Sequence, residues 1–326
     1  MVVIGYALLL IIGLSLLWWS GELTVKYAIA TAHIFNLSMF FIGFIVISIS
    51  TGLPELAITI TSLFYGVHQL SVGTILGSNF SDVALVLGLP AFFIRTLLVQ
   101  KDEYKECVFM LGLSAAVMAF VFLWGELYWW TGILLILVYL IALATIWRLR
   151  KIRKATREYF QEELKPEYKP HEISVEQKIL VFGKLLASGG LVLLGSHLSI
   201  VASIALAKHL PWTIGTIGST IMAVGTSLPE LIIAFFAARR KEYALAIGTS
   251  FGSVLEQGTL ILGILALFSH VPISITQFRH LAPFMFISFA IAGYGIIRRE
   301  RINRREGGSL ILLYLIFLVY EFLYTI

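Results

Sequence analysis

Long apolar runs separated by short polar breaks fill nearly the whole chain. A helix that crosses a bilayer needs about 20 such residues. The pattern predicts ten spans, at 2–33, 38–66, 70–98, 106–124, 127–149, 177–207, 212–238, 243–268, 280–298 and 308–325. The first is long for one crossing and is expected to tilt strongly. Between the fifth and sixth spans lies one sizeable polar segment, 150–176, RKIRKATREYFQEELKPEYKPHEISVE. It reads as a short amphipathic helix and a Pro-containing linker.

The polar positions inside the spans recur. Ile49–Leu56 reads I-S-T-G-L-P-E-L, and Val224–Leu231 reads V-G-T-S-L-P-E-L, 175 residues later. The same offset aligns Gly73–Gly88 with Gly248–Gly263, where seven of sixteen positions are identical. Duplicated apolar segments, broken by Gly and Pro and carrying acids, point to an ion site in a secondary transporter. Each repeat holds five spans. Five is odd, so the second copy enters the membrane from the opposite side and the repeats are inverted. The expected organisation is a first repeat at 1–149 with its motif at 50–88, a linker at 150–176, and a second repeat at 177–326 with its motif at 225–263. The expected fold is an all-α membrane protein with ten transmembrane helices, the second and seventh broken.

Composition agrees. The chain is 59% hydrophobic and 13% charged, against about 25% charged in soluble domains. A net charge of +5 invites a nucleic-acid reading, but the basic residues sit in loops between spans. All but four of the 24 Lys and Arg residues fall on the side reached after odd-numbered helices. By the positive-inside rule that side is cytoplasmic, and both termini face outside a cell membrane. The single cysteine, Cys107, excludes an intramolecular disulfide. The chain opens on MVVIGYALLLIIGLSLLWW with no basic n-region, so the first helix is expected to be retained.

The candidate chemistry lies in the repeated motifs. Proline lacks an N–H and its ring clashes with the carbonyl four residues earlier. Pro54 and Pro229 should therefore free backbone oxygens of Ser50 and Gly225, beside the flexible Gly52 and Gly225. Thr51 and Glu55 are i,i+4 and share a helix face, as do Thr226 and Glu230, Ser78 and Asp82, and Ser253 and Gln257. The result is an all-oxygen cluster suited to hard cations, with no His or Cys to favour zinc or copper. A lone intramembrane Glu also serves as a pairing or capping group, but two at matching repeat positions argue for a site. Ser78 and Ser253 fit close helix packing as well as ligation, and Gln257 fits an interhelical hydrogen bond. Glu256 has Ser81 as its repeat partner and lies about 100° around the helix from Gln257. It reads as a proton site or as facing a water path. Glu22 and His197 are also repeat partners and are expected at a polar seam or interface.

On these residues the chain resembles the cation/Ca²⁺ exchanger superfamily, close to prokaryotic sodium/calcium exchangers. Gly225-Thr-Ser-Leu-Pro-Glu230 matches the family motif in full, and Ser50-Thr-Gly-Leu-Pro-Glu55 departs at two positions. Gly77-Ser-Asn-Phe-Ser-Asp82 fits well, and Gly252-Ser-Val-Leu-Glu-Gln257 keeps the first two residues. The resemblance implies that Glu55 and Glu230 are central cation ligands, with oxygens from Thr51, Ser78, Thr226, Ser227 and Ser253 around them. Gly52 replaces a family Ser, and the Asn/Asp pair of the family stands here as Asp82 and Gln257. Ser50 and Glu256 complete the candidate set. It also implies antiport by alternating access, with Ca²⁺ and Na⁺ competing for one midplane site and the first and sixth helices moving. Three Na⁺ would balance Glu55, Asp82 and Glu230. One Ca²⁺ leaves one excess negative charge, which protonation of Asp82 would remove.

The alternatives are a proton/Ca²⁺ antiporter, a channel with an acidic ring, and a membrane enzyme. No nucleophile–base pair, phosphate loop or metal-ligand His cluster supports an enzyme. No cofactor is expected beyond the transported ions. The expected partners are Ca²⁺, Na⁺ or H⁺ and the lipid bilayer, with no nucleic acid. Each chain carries a whole site, so a monomer suffices.

Overall fold

The structure is a computed structural model that describes residues 2–35, 37, 39–66, 68–101, 103–151, 174–207, 216, 218–272 and 280–324. It is nearly all helical. The spans are α1 (Val2–Phe35), α2 (Met39–Tyr65), α3 (His68–Ile94), α4 (Tyr104–Trp124) and α5 (Trp129–Lys151). They continue as α6 (Val175–Ala207), α7 (Gly218–Thr226 with Leu228–Arg239), α8 (Tyr243–Phe268), α9 (Leu281–Arg299) and α10 (Arg304–Tyr324). Among the described residues nine helices are long and apolar enough to cross a membrane, and the bent pair of α7 makes a tenth. Most of the segment predicted as a linker, 152–173, lies outside the described residues.

Four short strands expose the inversion. β1 (Thr96–Leu98) follows α3 and pairs antiparallel with β4 (Arg301–Asn303), which joins α9 to α10. β2 (Glu126–Leu127) joins α4 to α5 and pairs with β3 (Val271–Pro272), which follows α8. β1 and β2 sit at opposite ends of the 21-residue α4. Yet β1 and β3 begin at equivalent positions, 96 and 271, in the two repeats. Equivalent pieces therefore lie at opposite ends of the bundle, as a two-fold axis in the membrane plane requires.

The two halves do not fold side by side as separate bodies. α2 packs on α8 and α7 on α3; α5 lies on the end of α8 and α10 on the end of α3; α1 runs against α6. Each of these pairings crosses between repeats. α3 and α8 are the most buried spans, and every residue from Ser71 to Ser81 and from Ala244 to Leu255 is buried. Their Gly, Ala and Ser content allows backbones this close without a hydrophobic driving force from water. α1 and α6, at 34 and 33 residues, exceed a single perpendicular crossing. They form a long outer pair.

Local helix geometry is altered at equivalent places. π-helical segments run over Ile42–Ile47 in α2, Asp82–Leu87 in α3, Gly218–Met222 in α7 and Glu256–Ile261 in α8. Such segments are uncommon and concentrate where helices carry functional groups. After them, α2 turns at Gly52 and α7 at Ser227, each followed by Leu-Pro at the start of the next helical piece. The two turns are unequal in outcome. α7 bends by 45°, whereas α2 continues as one 27-residue span.

Candidate cation site

The two turns bring Glu55 and Glu230 into the first turn of a new helical piece. A helix N-terminus carries partial positive charge, which steadies an acid held there away from water. Both side chains are buried, with 1% and 0% of their surface exposed. Each faces the threonine of the other repeat: the Thr226 hydroxyl lies against Glu55, and the Thr51 hydroxyl against Glu230. The threonines are themselves held by their own helices, Thr51 donating to the Ile47 carbonyl at 2.9 Å and Thr226 to the Met222 carbonyl at 3.0 Å.

α3 and α8 supply the rest. Gln257 Nε2 donates to Asp82 Oδ2 at 3.1 Å and to Glu55 Oε1 at 3.4 Å. Ser253 donates to Glu230 Oε1 at 3.4 Å. Ser78 Oγ lies 3.0 Å from Thr226 Oγ1. Ser227 accepts a hydrogen bond from Ser81 at 2.7 Å and lies beside Asp82. Glu256 is buried next to Ser48 on α2, within electrostatic reach of Glu230 and Asp82. Ser50 stands apart from this cluster. It is half-buried, donates to the Val46 carbonyl at 2.6 Å, and lines a cavity of about 160 Å³ with Thr24, Thr51, Gly189 and Gly190 between α2, α1 and α6. Glu22 is exposed, 3.4 Å from Arg240, and its repeat partner His197 is exposed on α6, so neither reaches the cluster.

The acceptors in this cluster exceed the donors. Glu55 Oε2, Asp82 Oδ1, Glu230 Oε2, Glu256 Oε2 and Gln257 Oε1 are buried without a hydrogen-bond partner among the described residues. Leaving one such group unpaired costs about 1–3 kcal/mol, and more for a charged one. Grouped acceptors of one kind, all oxygen, suit a hard cation that takes six to eight oxygens. Among the described residues no three His, Cys, Asp or Glu side chains converge closely enough to hold one ion by themselves. The acids are spaced by the Gln257 amide and the hydroxyls, so an ion here would draw on neutral oxygens as well. Ser48 and Ser81 were missed as candidates in the sequence. The signal for Ser81 was present, since it is the repeat partner of the unexplained Glu256.

The inverted halves, the bent α7 and the buried polar centre are those of a multi-pass membrane transporter. Its family is shown directly. The chain belongs to the sodium/calcium exchanger protein family, which matches residues 5–148 and 180–323. It is 30% identical to an uncharacterized membrane protein of Methanocaldococcus jannaschii across 96% of both chains. It is 28% identical to the sodium/calcium exchanger MaX1 of Methanosarcina acetivorans, across 97% of this chain and 98% of that one. Its fold matches the solved structure of the sodium-calcium exchanger NCX_Mj soaked with Na⁺ and zero Ca²⁺. That match has a TM-score of 0.76 and 25% identity, and covers 97% of this chain and 99% of that one.

Proposed function

We propose that this protein exchanges Na⁺ for Ca²⁺ across the membrane by alternating access at the buried site. Glu55, Asp82 and Glu230 supply the negative charge. Gln257, Thr51, Thr226, Ser78, Ser253 and Ser227 supply neutral oxygens, directly or by fixing the acids. Ser50 lines the approach from α6. The observation that carries this reading is the group of five buried oxygens on α2, α3, α7 and α8 that have no hydrogen-bond partner among the described residues. The sodium/calcium exchanger relatives support the choice of ions.

Competition at one seat couples the two fluxes. Uncompensated acids at this depth are costly to carry across the bilayer, which holds back the empty transporter. Loading with monovalent or divalent cations removes that penalty and permits the switch. The α1–α6 pair flanks the cavity beside Ser50 and Thr51 and packs outside the cluster. It is the element positioned to slide and open the site to one side or the other. In this reading 1–149 and 177–326 are the two repeats, the basic loops are cytoplasmic, the termini are outside, and one chain transports alone.

The test is ⁴⁵Ca²⁺ uptake into proteoliposomes with voltage clamped, under an outward Na⁺ gradient or an outward H⁺ gradient. Uptake driven by Na⁺ alone is expected. Uptake driven by H⁺ alone would replace this reading with proton/divalent-cation antiport.

A further inference from the structure

One difference between the repeats involves two positions that meet each other in each half. In one half, Ser81 on α3 meets Ser227 on α7, hydroxyl to hydroxyl, at 2.7 Å. Their repeat partners are Glu256 on α8 and Gly52 on α2. There the serine side chain is missing and a carboxylate occupies its place. A Cβ built on Gly52 would stand 2.7 Å from Glu256 Oε1 and 3.1 Å from its carboxyl carbon. Real Cβ atoms do not approach an oxygen that closely, so a side chain at position 52 would push the flexible Glu256 carboxylate out of the place it holds. Gly52 is not in the left-handed region, with φ −74° and ψ −5°. Backbone conformation therefore does not require glycine here; the missing Cβ leaves the space that the carboxylate occupies.

We infer that Glu256 is a fourth acid of the cation site, entering through the space that Gly52 leaves at the α2 turn, acting with the neutral oxygens around it and raising the preference for divalent cations. The inference rests on the exchange reading of the site. Glu256 is 3% exposed, and its Oε2 has no partner among the described residues. Ser48 on α2 lies beside it. Glu230, Asp82 and the Tyr139 ring of α5 are the titratable groups within its electrostatic reach. To stay ionised at this depth a carboxylate needs a cation or a full set of donors. The described side chains supply no Lys, Arg or His to it. A hydroxyl at position 52 would bring one neutral oxygen. The carboxylate brings an oxygen and a charge, and the charge count of the ligands sets affinity at oxygen sites for divalent ions.

The test uses the purified full-length protein in detergent and in proteoliposomes. In detergent, the rise in unfolding temperature with Ca²⁺ reports binding without transport. Glu256→Gln is expected to raise the Ca²⁺ concentration for half the thermal shift by about tenfold, while the response to Na⁺ changes less. Gly52→Ser alone is expected to weaken the Ca²⁺ response, because its Cβ displaces the carboxylate. Gly52→Ser with Glu256→Ser rebuilds the Ser81–Ser227 arrangement and should fold and respond to Na⁺ like the parent, with Ca²⁺ affinity at the Glu256→Gln level. An unchanged Ca²⁺ titration in Glu256→Gln overturns the inference. So does a Gly52→Ser protein that binds Ca²⁺ like the parent. Absence of Na⁺-driven Ca²⁺ uptake by the parent protein would instead sink the exchange reading, and the thermal titrations would still decide the role of Glu256.

Discussion

Asp82 and Gln257 occupy the same position of the repeat, 175 residues apart, and they hydrogen-bond to each other at 3.1 Å. A residue that touches its own repeat partner must lie on the pseudo-two-fold axis. The site is therefore centred on that axis, with α3 and α8 meeting there and α2 and α7 closing over it. One side chain of the axial pair is an acid and the other an amide. The amide can donate to the acid, which two carboxylates could not do without a shared proton.

This pairing predicts a swap. Gln257→Asp alone places two carboxylates at hydrogen-bond distance, where like charges in a poorly hydrated site repel strongly. Exchange should fall, by about tenfold or more. Asp82→Gln alone removes a charge and should also lose activity. The double exchange, Asp82→Gln with Gln257→Asp, restores one acid and one amide across the axis. It should recover most of the Na⁺-driven ⁴⁵Ca²⁺ uptake. A double variant no better than the worse single one would show that the two positions are not interchangeable.

Glu55 and Glu230 are the other equivalent pair, each against the threonine of the opposite repeat. Glu55→Gln and Glu230→Gln preserve shape and remove a charge that is costly to bury. Each should abolish Na⁺-driven uptake, with a loss of about 100-fold or more. The unfolding temperature without ions should stay the same or rise. Retained transport in either variant would remove that residue from the site.

Much of the fold was legible because the repeats are written into the polar positions. Matching Pro-Glu motifs gave the offset, and an odd number of spans per repeat gave the inversion. Predicted boundaries such as 243–268 and 280–298 fall close to Tyr243–Phe268 and Leu281–Arg299. The interlocking of the halves was not legible, since periodicity shows which faces are apolar but not which helix covers them. The sequence reading of Glu256 rested on ideal helix geometry. An ideal α-helix separates it from Gln257 by about 100°. The π-helical segment that begins at Glu256 takes more residues per turn. The angle between these neighbours narrows somewhat, and Glu256 lies beside Ser48 within electrostatic reach of Glu230. No local feature of the sequence announced that segment.

Tyr139 and Tyr314 are a further pair of repeat partners. Both are buried, and neither hydroxyl has a hydrogen-bond partner among the described residues. Tyr139 lies within electrostatic reach of Glu256, and Tyr314 of Asp82. A buried hydroxyl with no role is stabilised by its removal, since the unpaired group costs about 1–3 kcal/mol. Tyr139→Phe and Tyr314→Phe should accordingly leave the ion-free protein as stable as the parent or more so. Hydroxyls within electrostatic reach of the proposed site's acids should nevertheless matter once ions enter. Each variant is expected to slow exchange by about 2- to 10-fold, read as initial ⁴⁵Ca²⁺ uptake. Unchanged uptake in both would confine these tyrosines to packing.

The interlocked halves predict where stability is concentrated. A Cβ on Gly132 of α5 would stand 2.6 Å from the Gly263 carbonyl oxygen of α8, and one on Gly307 of α10 would stand 2.7 Å from the Gly88 carbonyl oxygen of α3. These are equivalent crossings, and each joins the two repeats backbone to backbone. The atoms in the way belong to main chain, so they cannot rotate aside. Gly132→Leu and Gly307→Leu should each lose about 1–3 kcal/mol or more, seen as a lower unfolding temperature in detergent. Gly112 on α4 has nothing within 4 Å of a built Cβ, so Gly112→Leu should unfold like the parent. Because the crossings are equivalent, the two destabilised variants should fall by similar amounts. A single transition in each would show that the repeats unfold together, as their shared packing requires. Two separate transitions would mean that each repeat holds its own core.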